Sequence, residues 1–138
     1  MHRPQHLGLH HLALRVSDLS RAKAFYVDLL GYQVEWQPDS RNLYLTCGND
    51  NLALHQADNL GPAPRQGVHL DHLGIVVASP DAVAAWEAYL RFHEVPILAK
   101  TKAHRDGATS CYVSDPDGIA VQFIHHPPIS PHLSARTA

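Results

Sequence analysis

Two stretches, LHHLALRVSDLSRAKAFYVDLLGY at residues 9–32 and LDHLGIVVASPDAVAAWEAYL at residues 70–90, are versions of one pattern. Setting His11 on His72 gives an offset of 61 residues (72 − 11) and brings Leu12 onto Leu73, Leu14 onto Ile75 and Val16 onto Val77. Each copy opens with a short strand, HLALRV or HLGIVV, and then starts a helix. Ser17 and Asp18 supply a cap for the first, with Leu19, Ala22, Tyr26, Leu29 and Leu30 as its apolar stripe. Ser79-Pro80-Asp81 opens the second with a cap, a proline in the first turn and an acid at the positive end of the dipole. Val83, Trp86 and Leu90 follow on one face.

Beyond each helix the sequence breaks into short strands: YQVEWQ, NLYLTC and NLALHQ, then VPILAK, TSCYVS and IAVQFIH. The turns PDSR and CGND, then HRDG and SDPDG, divide them. The chain is therefore expected to be α+β, with two tandem βαβββ modules. The first covers residues 7–56 and the second 68–126, joined by a Gly- and Pro-rich linker at 57–67. A Pro-rich tail, 127–138, is expected to be poorly ordered.

Composition narrows the function. The chain has 138 residues, 45% of them hydrophobic and 17% charged, and a net charge of −2 with neutral histidines. It has no basic run to follow a nucleic acid. It has no apolar run of the roughly 18 residues that a membrane span needs. Two isolated cysteines, Cys47 and Cys111, and no signal-peptide pattern suit a cytoplasmic, reducing compartment. The excess is in histidine, with 12 residues.

Parity sorts these histidines. On the first strand His11, Ala13 and Arg15 share one face, and His10 lies on the other with Leu12, Leu14 and Val16. On its counterpart His72, Gly74 and Val76 share a face. A histidine followed by Ala or Gly leaves room above it, so His11 and His72 are expected to line a cavity. His69 is expected on the opposite face. Overlaying the turns GNDN and DPDG places His55 opposite Gln122 on the last strands. That overlay rests on the turns alone, and a slip of one residue turns His55 to the other face. His11, His55, His72 and Gln122 are thus four metal-compatible positions. At the rim, His104 is a candidate acid or base and Arg105 a candidate clamp for a carboxylate or phosphonate. The competing reading of both is a solvated hairpin loop. Trp36 and Trp86 are expected to pack, His125 and His126 to lie on the surface, and the facing of Cys111 and Tyr112 is open.

The motifs HLALRVSDLSRAKAFYVDLLGY, NLALHQ, DHLGIVV and HRDGATSCYVSDPDGIAVQF resemble those of the vicinal oxygen chelate superfamily. That group includes glyoxalase I, fosfomycin-resistance enzymes, extradiol dioxygenases and bleomycin-resistance proteins. The resemblance implies paired βαβββ modules whose sheets curl around a cavity. It implies a divalent ion (Fe, Zn, Ni, Co or Mn) on His11, His72 and Gln122, with His55 as the fourth candidate. It also implies a small-molecule substrate and a homodimer. The expected activity is that of a metal-dependent lyase, isomerase or dioxygenase. Many catalytic members carry Glu where this chain has Gln122, which removes one negative charge and the carboxylate of a two-His-one-carboxylate iron triad. The competing expectation is a metal-free protein that sequesters a flat small molecule. A third, an interaction module with incidental histidines, has no specific support in the sequence.

Overall fold

The computed structural model describes residues 2, 5, 11–60, 70 and 72–127. The chain divides into two compact units, 1–58 and 59–138. His10, His69, most of the linker and the tail beyond Pro127 lie outside the described residues.

The first unit holds β1 (Leu12–Val16), α1 (Leu19–Lys23), β2 (Gln33–Trp36), β3 (Asn42–Thr46) and β4 (Leu52–Gln56). The second holds β5 (Leu73–Val76), α2 (Pro80–Phe92), β6 (Ile97–Ala103), β7 (Thr109–Ser114) and β8 (Ala120–His125). Each unit makes one four-stranded sheet with the same topology, β1-β4-β3-β2 and β5-β8-β7-β6. In both, the first strand pairs in parallel with the last, and the remaining pairs are antiparallel. This is the βαβββ order expected twice over. The strands begin one residue later than HLALRV and HLGIVV imply, so His11 and His72 stand just before β1 and β5.

The helices form where the caps are. Asp18 accepts a hydrogen bond from the Arg21 N–H at 3.0 Å, and Ser79 Oγ accepts one from the Ala82 N–H at 3.1 Å. Gln56 on β4 secures the first helix start from outside. Its Oε1 accepts from the Leu19 N–H at 2.8 Å, and its Nε2 donates to the Ser17 carbonyl at 2.5 Å. The first helix is not α-helical throughout. From Ala24 to Leu29 it widens into a π-helix, with the Leu30 N–H reaching back to the Phe25 carbonyl at 2.9 Å. The wider turn buries the neighbours Phe25 and Tyr26 together, edge to face at 5.0 Å, and leaves Leu29 and Leu30 half-buried. A regular 3.6-residue stripe does not foresee that exchange.

One face of each sheet is apolar and helix-backed. Leu14, Val16, Leu43, Leu45, Leu52 and Leu54 are buried in the first unit, and Val113, Val121, Phe123 and Cys111 in the second. Trp86 packs as expected, stacked on Phe123 at 4.9 Å. Trp36 does not. It sits on edge strand β2, 59% exposed, with one indole face stacked on Tyr44 at 5.3 Å. His125 is the last residue of β8 rather than a surface residue beyond it. It is half-buried, and its buried Nδ1 has no hydrogen bond among the described residues.

Glu87 joins α2 to β6. Its carboxylate accepts from both the side chain and the backbone N–H of Thr101, each at 2.6 Å, and from Arg91 at 2.8 Å. These bonds, those of Thr101 first, hold its pKa down at about 2. A carboxylate depressed below its unfolded value of 4.5 contributes stability above that pH and loses it as pH falls towards 2. Glu87→Gln is expected to lower stability at pH 7 by on the order of 2 kcal/mol, the scale of one hydrogen bond to a charged group. The gap between the urea midpoints of wild type and variant should be narrower at pH 3 than at pH 7, and an equal gap at both pH values would contradict this origin.

Candidate functional site

The site begins with what the sheets leave uncovered. Cross-strand partners point to the same side of a sheet. In the first unit Ala13 pairs with Ala53, Arg15 with His55, and those two with Tyr44 and Asn42. This row of residues forms the face opposite the buried leucines, and parity adds His11 to it. In the second unit Gly74 pairs with Gln122, and Gln122 with Tyr112. Here the ring of His72 meets Tyr112 edge-on at 5.3 Å, which puts His72 on that face as well. Cys111 points the other way, under α2, where burial first and then the Glu87 carboxylate push its thiol up to about 11. It is packing, not a nucleophile.

The registers correct one expectation. The first strands keep their offset of 61, so Ala13 corresponds to Gly74. Their partners are Ala53 and Gln122, an offset of 69 (122 − 53). Gln122 therefore matches Ala53, and His55 matches Ile124. Because the slip is two residues, His55 keeps the expected face but stands one pleat repeat further along, roughly 6.6 Å. The turns GNDN and DPDG do not superpose residue for residue, and no sequence signal short of the register reveals it.

His55 is nevertheless precisely tuned by its neighbours. Asn42 Nδ2 donates to both oxygens of Asp39, at 3.0 and 3.1 Å. The Asn42 atom 2.7 Å from His55 Nδ1 is therefore its carbonyl oxygen. An acceptor there requires the proton on Nδ1, so Nε2 keeps its lone pair. The Arg41 N–H first, and then Asn42, hold the Asp39 carboxyl below its ordinary range, which keeps this chain charged at one end.

In the second unit the bare face deepens into a pocket of about 600 Å³. Lys102, Ala103, His104, Arg105, Asp106, Ala108, Tyr112, Gln122 and Ile124 line it. Both rim residues expected from sequence, His104 and Arg105, are present; Lys102, reached because β6 extends further than VPILAK implies, is a cation that sequence reasoning missed. Gln122 forms part of the wall at only 8% exposure, and among the described residues no hydrogen bond reaches its amide. Buried amides normally find partners; this one belongs to the pocket lining. A Cβ at position 74 would stand 3.5 Å from its Oε1, so Gly74 on β5, paired with Gln122, leaves that side of the amide open.

A model of the glyoxalase/bleomycin resistance protein/dioxygenase superfamily matches residues 8–123. The chain belongs to that superfamily. Among curated relatives, it is 30% identical over 115 residues to the metallothiol transferase FosB of Bacillus licheniformis, covering 81% of this chain and 71% of that one. It is 29% identical over 118 residues to the glutathione transferase FosA of Serratia marcescens, covering 84% and 79%. Among solved structures, a lactoylglutathione lyase from Agrobacterium tumefaciens superposes with a TM-score of 0.70 at 26% identity, covering 86% of this chain and 92% of that one. A glyoxalase-related enzyme from Fulvimarina pelagi reaches 0.72 at 24% identity, covering 95% and 98%, and speaks for the fold alone.

This superfamily contains metal-dependent enzymes, so the donor set must be judged against a divalent ion. Among the described residues no three His, Cys, Asp or Glu side chains gather into a cluster. The candidate donors expected from sequence are instead imidazoles and one amide: His72 and Gln122 on one face of the second unit, His11 and His55 on one face of the first. Such neutral N and O donors suit an ion of borderline softness. The tuning of His55 gives a direct check. Asn42→Ala removes the acceptor at Nδ1 and is expected to shift His55 towards the Nε2–H form, read from its ring ¹⁵N shifts. An unchanged tautomer would show that Asn42 does not set it.

Proposed function

We propose that the protein is a divalent-metal-dependent enzyme acting on a small substrate that carries an oxyanionic group, by lyase, isomerase or group-transfer chemistry. The observation that carries this reading is the Gln122 amide in the wall of a pocket rimmed by Lys102 and Arg105. The residues that would hold the ion are His72 and Gln122 in the second unit and His11 and His55 in the first. When bound, the ion supplies Lewis-acid polarisation of substrate oxygens. The chain's own residues do the rest. Arg105 grips the oxyanion with its planar fork, Lys102 adds a point charge, and His104 exchanges or donates a proton at the rim. The neutral Gln122 disfavours the iron-dioxygenase alternative, which wants a carboxylate. It also leaves the ion's charge uncompensated, which favours an anionic substrate. The names of the curated relatives, both thiol transferases, fit group transfer. We further propose a homodimer in a reducing, cytoplasmic compartment, in line with Cys47 and Cys111 being free thiols. Among the described residues no helix is long and apolar enough to cross a membrane.

A metal-free binding protein is the second reading, and the open indole face of Trp36 favours it, since a flat ligand can stack there. Calorimetric titration of the metal-stripped protein with Zn²⁺, Ni²⁺ and Mn²⁺ separates the two. Near-stoichiometric binding at micromolar concentration is expected. His11→Ala and His72→Ala should each weaken it tenfold or more, about 1.4 kcal/mol, while Gln122→Glu should tighten it by adding charge. If no ion binds, the metal reading fails and the stacking reading takes its place.

A further inference from the structure

Ser110 sits on β7 between Lys102 on β6 and Ile124 on β8, in the same cross-strand row and on the pocket face. It is 1% exposed. Its Oγ lies 2.7 Å from His104 Nε2, and among the described residues no other hydrogen bond reaches it. His104 is held in place by the hairpin itself. Its N–H donates to the Ala108 carbonyl at 2.8 Å and its carbonyl accepts from the Gly107 N–H at 3.1 Å, with Gly107 at φ +88° closing the turn.

The pair has two possible proton arrangements. In one, Nε2–H donates to Oγ, and the hydroxyl proton of a fully buried serine is left with no acceptor. In the other, the serine O–H donates to the Nε2 lone pair, and nothing buried is left unsatisfied except an oxygen lone pair. A buried donor without a partner costs far more than a spare acceptor lone pair. We propose that Ser110 is a positioning residue that locks His104 as the Nδ1–H tautomer and thereby turns a hydrogen-bond donor towards the pocket. The Asp106 carboxylate is a neighbouring charge. It lies on the same turn, held below its ordinary range chiefly by the Ala108 N–H. Lys102, Arg105 and His104 then each present a donor at the rim, beside the Gln122 amide. Use of the His104 donor on a bound oxyanion rests on the function proposed above; the tautomer does not.

Long-range ¹H–¹⁵N correlation spectra of the full-length protein, recorded about two pH units above the ordinary histidine value, test the assignment. His104 signals are identified by their loss in His104→Gln. Wild type is expected to show a protonated Nδ1 and a bare Nε2. Ser110→Ala should reverse the two into the Nε2–H form, and Ser110→Thr, which keeps the hydroxyl, should restore the wild-type pattern. A predominantly Nε2–H ring in wild type, or a tautomer unmoved by Ser110→Ala, overturns the proposal. Inorganic phosphate should then move the Nδ1 signal of wild type. A fixed Nδ1 signal overturns the donor role, whereas failure of the metal reading shows only in the ion titration.

Discussion

Everything on the working face depends on the parallel pairing of the first and last strands in each unit, β1 with β4 and β5 with β8. A parallel pair cannot be closed by a tight turn, so the chain must leave the sheet and return. The helix and the two middle strands are that return. The helix covers one face, which the sequence fills with Leu, Val and Phe, and the other face is left for polar groups. The same pairing fixes which residues stand together. Gly74 beside Gln122, and Arg15 beside His55, are statements about register before they are statements about chemistry.

Much of this was legible from residues alone, because it follows from period and offset. The spacing of His11 and His72 reveals the duplication, and Ser79-Pro80-Asp81 marks a helix start by simple hydrogen-bond and dipole arguments. Alternation alone puts His11 and Arg15 on the face away from Leu14 and Val16. The features that were not legible are those that depend on more than local pattern. The widening of the first helix goes with the burial of two neighbours, Phe25 and Tyr26, which no stripe of fixed period expresses. The two-residue slip between His55 and Gln122 arises because the two modules differ in length between their paired strands, and turns of similar composition conceal the difference. Lys102 was hidden by a strand boundary, the least determined quantity in any local reading.

The two tuned histidines illustrate how a fold assigns opposite duties to one residue type. His55 and His104 both carry their proton on Nδ1, yet they face outward with different atoms. In His55 the proton is spent on Asn42 and the lone pair is offered; in His104 the lone pair is taken by Ser110 and the proton is offered. In each case a single neighbouring oxygen, amide carbonyl or hydroxyl, decides the matter. Neither outcome depends on the ring's burial or on a nearby charge alone.

The register of β6 against β7 is broken twice, between Ile97 and Ala99 and between Ala99 and Lys102, whereas β7 pairs with β8 without interruption. The strand that carries the rim is therefore already irregular, and the strands that carry Tyr112 and Gln122 are not. Irregular pairing absorbs an added or lost residue with little propagated strain. A lineage, or an engineer, is thus free to lengthen, shorten or recharge the rim while the floor stays in place, and substrate choice becomes separable from the chemistry beneath it.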